Sequence, residues 1–482
     1  MSIFKNIKVN LDDELENVLK KQEIEFKSYR ILRKSLDARK KANIHFVYEI
    51  ETFDTPEPPP VIIETPPVIK KEKLPMTTVI GAGPAGLFAA LRLIERGLPC
   101  RLIERGKNII DRMRDISKHW KTGEVHPDSN VCFGEGGAGT FSDGKLITRI
   151  KSPHIKYVMD RFIKFGAPEQ IRYLANPHVG SNKIRKIINS LTLWLTQNGC
   201  EVHFETPVDK FIFEGDKLNA VVDRNGKTWE SDYWVLATGH SAHDIYKELF
   251  RNNVPCEAKS MAMGFRIEHP QEWVSKTQFG SRWEHEDLPV ANYKLTCHNK
   301  NTGIGVYSFC MCPGGYVLPS SAQQDLMVVN GMSNYNHGSP FANSGIVVTV
   351  DKDKWYPGGA ADALAFQGRI EAAAMKTALD KGKKAHVPVQ TVRDYLKGRT
   401  GDVIKSSCTS GIVPVDLNSI YPKEINEAFK KALKNFDNKM PGFCSSNAML
   451  HAVESRTSSP VRILRDREKL NSPAFVNFFS CR

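Results

Sequence analysis

The residues with the plainest chemical meaning lie between Met76 and Arg105. Gly81-Ala82-Gly83-Pro84-Ala85-Gly86 has the spacing G-x-G-x-x-G. Between an apolar strand and a helix, such a turn holds a dinucleotide pyrophosphate on backbone N–H groups and on the helix N-terminus. Gly81 permits the tight turn, Gly83 lets the pyrophosphate approach the backbone, and Gly86 with Ala90 lets the helix pack closely on the sheet. The elements that must present the turn are legible. Thr77 to Ile80 reads as a strand, Leu87 to Arg96 as a helix, and Cys100 to Ile103 as a second strand ending in Glu104. Glu104 follows Gly86 by 18 residues, where a carboxylate can accept both ribose hydroxyls. A lone G-x-G-x-x-G is weak evidence; strand, turn, helix, strand and acid in register are strong evidence.

A second segment, Val131 to Lys145, has five glycines in the eleven residues from Gly134 to Gly144. This density implies a backbone pressed against something large and flat, or phosphorylated. A flexible surface loop is the plain alternative, and Phe133, Phe141 and Leu146 argue against it. Lys145 could place a positive charge near a reduced flavin; it could equally cap a helix or meet solvent. Further on, the apolar strand Ser231 to Leu236 runs into Ala237-Thr238-Gly239. A second small-residue turn roughly 150 residues past the first is the layout of flavoproteins, in which the chain returns to one sheet and closes over the dinucleotide. FAD is therefore the expected cofactor. Glu201 to Phe204 and Lys217 to Asp223 read as strands of a small sheet.

Weaker candidates remain. Cys310-Met311-Cys312 could be a redox pair or half of a metal site, but a C-x-C disulfide closes a strained ring and no second cluster completes four ligands; a structural or substrate-facing pair is preferred. His240 and His243 could touch substrate or bind a metal, with satisfied loop histidines as the preferred reading. Glu454 and Arg456 share a strand face and either orient an anionic substrate or form an internal ion pair. No metal site is expected.

The rest of the chain must position these groups. Its 482 residues suggest about three domains. With 41% hydrophobic and 25% charged residues it is globular; disorder and a disulfide scaffold are excluded. Ten scattered cysteines without a CxxC pair and a start without a signal-peptide pattern point to the cytoplasm. The most apolar window, Thr77 to Ile94, is broken by glycines, so no membrane span is expected. The net charge of +13 favours anionic partners in principle, but a lysine-rich surface explains it and nucleic acid is not the preferred partner. Residues 1–54 read as a βαββ module: Ile3 to Leu11, the helix Asp12 to Gln22, Phe26 to Arg33 and Ile44 to Phe53, with SLDARKKAN a basic loop. Residues 55–75 carry seven prolines and read as a semi-rigid spacer, so the module should be separable. Leu364 to Lys383 reads as a helix whose apolar stripe is core packing. Alternating runs between Met261 and Val350 predict a β-rich domain.

Together, GAGPAGLFAA, SNVCFGEGGAGTFSDGKL, NPHVGSNK, VLATGHSAHD, FCMCPGG, ANSGIVVTV and VESRTSSPVRI resemble a bacterial family of FAD-dependent dehydrogenases, glutathione-reductase-like flavoproteins similar to HI0933-like proteins. The resemblance covers nearly the whole chain. It implies an α/β fold: a Rossmann-like FAD-binding domain over 76–260, a β-rich substrate domain over 261–448, a return to the first domain over 449–482, and the N-terminal module. It also implies that Gly81, Ala82, Gly83, Pro84, Ala85 and Gly86 hold the pyrophosphate, and that Glu104, beside Arg105, holds the adenosine ribose. Gly136, Gly137, Ala138, Gly139, Thr140 and Lys145 would run along the flavin, Val208 would meet the adenine, and Thr238 and Gly239 would close the site. The expected activity is hydride transfer through flavin N5 to or from a small-molecule substrate, with NAD(P)H a candidate electron partner and no residue assigned as a catalytic base. A flavin-containing RNA-associated protein and an inactive relic are the alternatives. One departure stands out. The family continues into a G-E-G-A-G-type turn and a final helix, whereas this sequence reads AFVNFFSCR. A frameshift or premature stop is the leading explanation and a divergent C-terminus the other. Weak flavin binding and uncovered apolar sheet surface are expected.

Overall fold

The computed structural model describes residues 2–481 apart from 62, 64, 71, 149, 300–302 and 404. Three of these fall in the 55–75 spacer, so that reading lies partly outside the described residues.

A five-stranded parallel sheet organises the cofactor half. Its order is Phe478–Ser480, Tyr233–Leu236, Thr77–Ile80, Cys100–Ile103, Glu201–His203. Parallel strands are covered on both faces and read as continuous apolar runs, and every residue of Thr77–Ile80 is buried. Val79 and Leu102 face the helices Pro84–Glu95 and Gly180–Gln197. Ile80 and Ile103 face the other way, onto a three-stranded antiparallel sheet (Val208–Glu214, Lys217–Asp223, Thr228–Glu230) and the helix His243–Arg251. Glu201–His203 therefore belongs to the parallel sheet rather than to the small one expected. The last strand, Phe478–Ser480, pairs with Tyr233–Leu236 and buries Phe478 among Phe211, Phe213 and Trp234. The apolar edge expected to lie bare is thus covered.

The second half is built on a seven-stranded sheet in the order Thr296–His298, Gly305–Cys312, Phe341–Val350, Met261–Pro270, Met449–Glu454, Val387–Thr391, Ile412–Pro414. Its long central strands, Met261–Pro270 and Phe341–Val350, are almost wholly buried, and the helices Ala360–Leu379 and Lys423–Lys439 contribute to the same core. Met449–Glu454 lies inside this sheet, between two of its strands. The chain therefore rejoins the parallel sheet only at Phe478, not near Met449 as expected.

The N-terminal module is Ser2–Asn10, the helix Leu15–Lys21, Ser28–Asp37 and His45–Phe53, with the third strand in the centre. It does not stand apart. Ile7, Val9, Leu19 and Ile50 belong to the same apolar core as Met263, Phe265 and Val348. Asp12 is 2.7 Å from Arg282 and 3.0 Å from His285, and the amide of Lys34 donates to the carbonyl of Tyr173 at 2.8 Å. The spacer is strapped down as well: the Ile69 amide donates to the Arg96 carbonyl at 2.8 Å, and Val68 lies against Gly97. A freely separable module is ruled out by this packing.

Candidate functional site

A cleft of about 270 Å³ opens at the carboxyl ends of the central parallel strands and is closed from above by the second half of the molecule. Such strand ends are where open α/β sheets bind ligands. Gly81, Gly83, Pro84, Ala85, Glu104, Arg105, Gly137, Ala138, Gly139, Val208, Thr238 and Gly239 all line it. Ala82, Gly86, Gly136, Thr140 and Lys145 do not.

The glycines divide by what excludes a side chain. A Cβ on Gly86 would lie 1.8 Å from the Gly81 carbonyl oxygen, and one on Gly81, at φ +107, would lie 2.5 Å from the Ala237 carbonyl oxygen. Those two serve the fold. Gly83 has an ordinary φ of −71°, and the nearest atom to its Cβ would be 3.9 Å away. Nothing in the protein requires glycine there; the space is left open to the cleft. Gly83 is also the N-cap of the helix Pro84–Glu95, whose first turn carries neither a side-chain cap nor an acidic residue. An open backbone at an uncapped helix N-terminus suits a pyrophosphate.

Glu104 is buried and lines the cleft, but its carboxylate is largely engaged. It accepts from the amides of Ala82 (2.6 Å), Gly106 (2.9 Å) and Gly134 (2.9 Å). A carboxylate offers about four acceptor positions, so one remains for a hydroxyl. Glu104 thereby ties the glycine turn to the glycine-rich segment. Arg105 pairs with Asp244 and lies over the Phe133 ring, 4.5 Å from its centre.

The glycine-rich segment is held from behind by a residue that sequence reasoning missed. Arg112 is fully buried and donates to five carbonyls: Asn130 (2.8 Å), Val131 (2.8 Å), Gly134 (3.3 Å), Glu135 (2.6 Å) and Gly137 (2.9 Å). Burial lowers its pKa to about 10, against the opposing charges of Glu104 and Glu135. The helix Ile109–Thr122, capped by the Asn108 side chain and ended by Gly123 at φ +73, delivers it. The signal was present in the sequence: Ile109, Arg112, Ile116 and His119 form one helical face, with an arginine where an apolar residue is usual. Gly136 and Thr140 are buried within this loop, where a Cβ on Gly136 would meet the Thr140 hydroxyl at 2.3 Å.

Lys145 is displaced from the expected flavin edge. Its Nζ lies 3.0 Å from Asp143 and donates to the Met311 carbonyl. Asp143, His178 and His337 are close enough to share a cation. However, Asp143 already takes Lys145 and the Ser333 hydroxyl, and both histidines meet backbone carbonyls.

The opposite wall is made of side chains from distant parts of the chain. Ser320, Asn330 and Arg456 line it. Arg456 is clamped by the fully buried Glu371 at 2.8 and 3.0 Å, while its Nη1 has no partner within the protein. Glu454 pairs instead with Arg266 at 2.8 Å. Each of these two residues thus takes part in an internal ion pair, one of the two readings offered for them, with a partner on another element. His240 lines the cleft, and the buried ring of His243 is bonded to Gln367 at 3.2 Å; burial holds both near 4, neutral at ordinary pH.

Residues 75–289 match the model of an FAD binding domain, and 260–457 that of an FAD-dependent protein, C-terminal domain-like. Residues 6–53 match a domain of unknown function. A protein of Clostridium beijerinckii (strain ATCC 51743 / NCIMB 8052), named only as an uncharacterized protein, is 37% identical over 487 residues, spanning 96% of this chain and 90% of that one. The chain belongs to this FAD-dependent protein family. Its cofactor is FAD. Among solved structures, CtdE in complex with FAD is 10% identical, covering 85% of this chain and 77% of its own at a TM-score of 0.30. FqzB is 11% identical, covering 60% and 56% at 0.31. No helix among the described residues is long and apolar enough to cross a membrane.

Proposed function

We propose that this family member is an oxidoreductase, a Rossmann-like flavoprotein of the glutathione-reductase kind that works on a small molecule in the cytoplasm, where its ten unpaired cysteines would stay reduced. The observation that carries the reading is Gly83: an open backbone at an uncapped helix N-terminus, at the mouth of the cleft. When bound, FAD supplies two-electron chemistry at its N5 atom. The protein's part is placement. Gly83 and the first turn after it hold the pyrophosphate, and the remaining acceptor position of Glu104 holds a ribose hydroxyl. Val208 borders the adenine, while Gly137 to Gly139, with Thr238 and Gly239, line the path of the cofactor. Arg456, fixed by Glu371, lines the cleft, and its charge favours negative charge on a cofactor or an anionic substrate there. NAD(P)H is the proposed electron donor. The test is the spectrum of the purified protein, chromatography of the acid-released cofactor, and anaerobic addition of NADH or NADPH. Released FAD and bleaching of its bands support the reading; colourless protein that takes up no FAD overturns it.

A further inference from the structure

A net charge of +13 gives by itself no reason to prefer one anionic partner; where the cations stand does. Residues 27–43 carry seven lysines and arginines against one acid, Asp37. They span the second strand of the N-terminal module, Ser28–Asp37, and the loop after it.

One face of the module's sheet packs on the core through Ile7, Val9, Phe46 and Ile50. The other face points away, because side chains alternate along a strand. Cross-strand register sets its rows: Lys8, Val47 and Ser35 lie side by side, and Glu49 lies beside Arg33. A bulge between Phe4 and Ile7, with Asn6 at φ +59, turns an exposed asparagine to the same side. Residues 38–44 rise beside this face as a braced loop. The Asp37 carboxylate accepts from the Arg39 amide at 3.2 Å and from its guanidinium at 2.9 Å. The Asn43 amide donates to the Lys40 carbonyl at 2.9 Å, and His45 Nδ1 lies 3.1 Å from the Asn43 carbonyl. Sheet face and loop enclose a groove of about 940 Å³ that shares no lining residue with the cofactor cleft.

Both acids of the groove are engaged, Asp37 by Arg39 and Glu49 by Lys5 at 3.3 Å. Lys8, Arg33 and Lys40 are exposed and have no ion-pair partner among the described residues. Three positive charges are therefore left over in a concave surface, which focuses their field. Asn6 and Asn43, also exposed, add neutral amide donors. The charges do not converge on one point. Lys8 and Arg33 stand on the two outer strands, which are two strand spacings, roughly 10 Å, apart, and Lys40 stands on the loop. That spread suits repeated phosphates better than one small anion. The rings in the lining, His45 and Tyr48, are buried, so none is offered to stack a splayed base. Double-helical RNA meets these terms, since it is bound through phosphates and 2′-hydroxyls across its shallow minor groove.

We propose that the outer face of the N-terminal sheet binds double-helical RNA through its backbone, with Lys8, Arg33 and Lys40 on phosphates and Asn6 and Asn43 within reach of 2′-hydroxyls. No step of the flavin chemistry is involved.

The test uses the full-length protein loaded with FAD and a short fluorescent RNA duplex, titrated by anisotropy at several salt concentrations. Three neutralised phosphates predict a slope of about −2.7 in log K against log salt, so affinity should fall roughly fortyfold between about 50 and 200 mM. Lys8→Ala/Arg33→Ala/Lys40→Ala should bring the slope close to zero and weaken binding about tenfold or more at the lower salt, with FAD content unchanged. Lys423→Ala/Lys431→Ala/Lys434→Ala removes the same charge from an exposed face of the helix Lys423–Lys439 and should bind as the wild type does. A DNA duplex of equivalent sequence should bind more weakly, for want of 2′-hydroxyls. The proposal is overturned if no binding is seen at low salt, or if both triple variants lose affinity equally, which would leave only a lysine-rich surface. DNA bound as tightly as RNA would overturn the assignment to RNA. Displacement of the duplex by micromolar ATP would assign the groove to a free nucleotide instead. The wild-type slope and the DNA and ATP comparisons stand even if the variants fold poorly.

Discussion

The two walls of the cleft are built on different principles. The lower wall is backbone: a glycine turn, a helix N-terminus and a glycine-rich loop, all contributed within Gly81–Gly139 and fastened by Glu104 and Arg112. The upper wall is side chains, Ser320, Asn330 and Arg456, brought from far along the chain and fixed by buried ion pairs with Glu371 and between Arg266 and Glu454. A backbone wall tolerates few residue types but is written locally. A side-chain wall can change its chemistry by single substitutions, and it exists only once the fold has formed.

Substitutions at the lower wall sharpen that contrast most. Gly83→Glu should abolish FAD binding, because a carboxylate would occupy the pyrophosphate position; FAD content of the purified variant checks it. Gly83→Ala should leave the melting temperature of the cofactor-free protein unchanged, given 3.9 Å of room, yet weaken FAD about tenfold or more through one lost charged contact. Unchanged affinity in that variant would remove Gly83 from the site. Gly86→Ala should instead fail to fold properly, since its Cβ would meet backbone at 1.8 Å.

Next in size is Arg112→Met, which strands five carbonyls and two neighbouring carboxylates. Breaking a buried charge network of this kind costs about 3–5 kcal/mol, read as a lower denaturant midpoint with loss of FAD. Arg112→Lys should not restore it, as an ammonium has three donors and no planar fork.

The seven-stranded sheet behind the upper wall should show itself in pH dependence. Burial raises Glu268 to about 7, despite hydrogen bonds from Ser407. Its protonated form is favoured in the fold, so stability should fall as pH rises towards 7 and level off above it, by about 1.4 kcal/mol per unit at most for that group. Glu268→Gln should flatten this limb. His119, His240, His243, His269 and His451 are each held near 4 by burial. They are neutral in the fold, so stability should also fall as pH drops from about 6.5 towards 4. Denaturant midpoints measured from pH 4 to 8 test both signs.

The smallest effect concerns the N-terminal module. Proteolysis within the exposed stretch from Asp54 to Pro60 should nick the chain without releasing residues 2–53. The fragments should co-elute in gel filtration until denaturant is added; early release would show that the shared core contributes little.

How much of this was legible beforehand follows from the range over which each feature is encoded. The Thr77–Ile80 and Cys100–Ile103 strands and the glycine turn between them are local patterns of apolar runs and small residues, which mean the same thing in any fold; Arg105, Gly137 to Gly139 and Val208, which also line the cleft, were expected there from the family resemblance. Lys145 does not line the cleft because, besides the nearby Asp143, it is drawn to the Met311 carbonyl on a strand 166 residues further along the chain. Glu454 and Arg456 are alike in this: they share a face, but partners on other elements reach them.

The sequence by itself determined the cofactor half, because a pyrophosphate is held by backbone and backbone geometry is written in glycine spacing. Only the tertiary structure decided which side of the cleft Arg456 faces, which carbonyls the buried Arg112 reaches, and that Met449–Glu454 belongs to the second sheet. Charge and burial at a point depend on which distant segments meet there, and no local pattern carries that information.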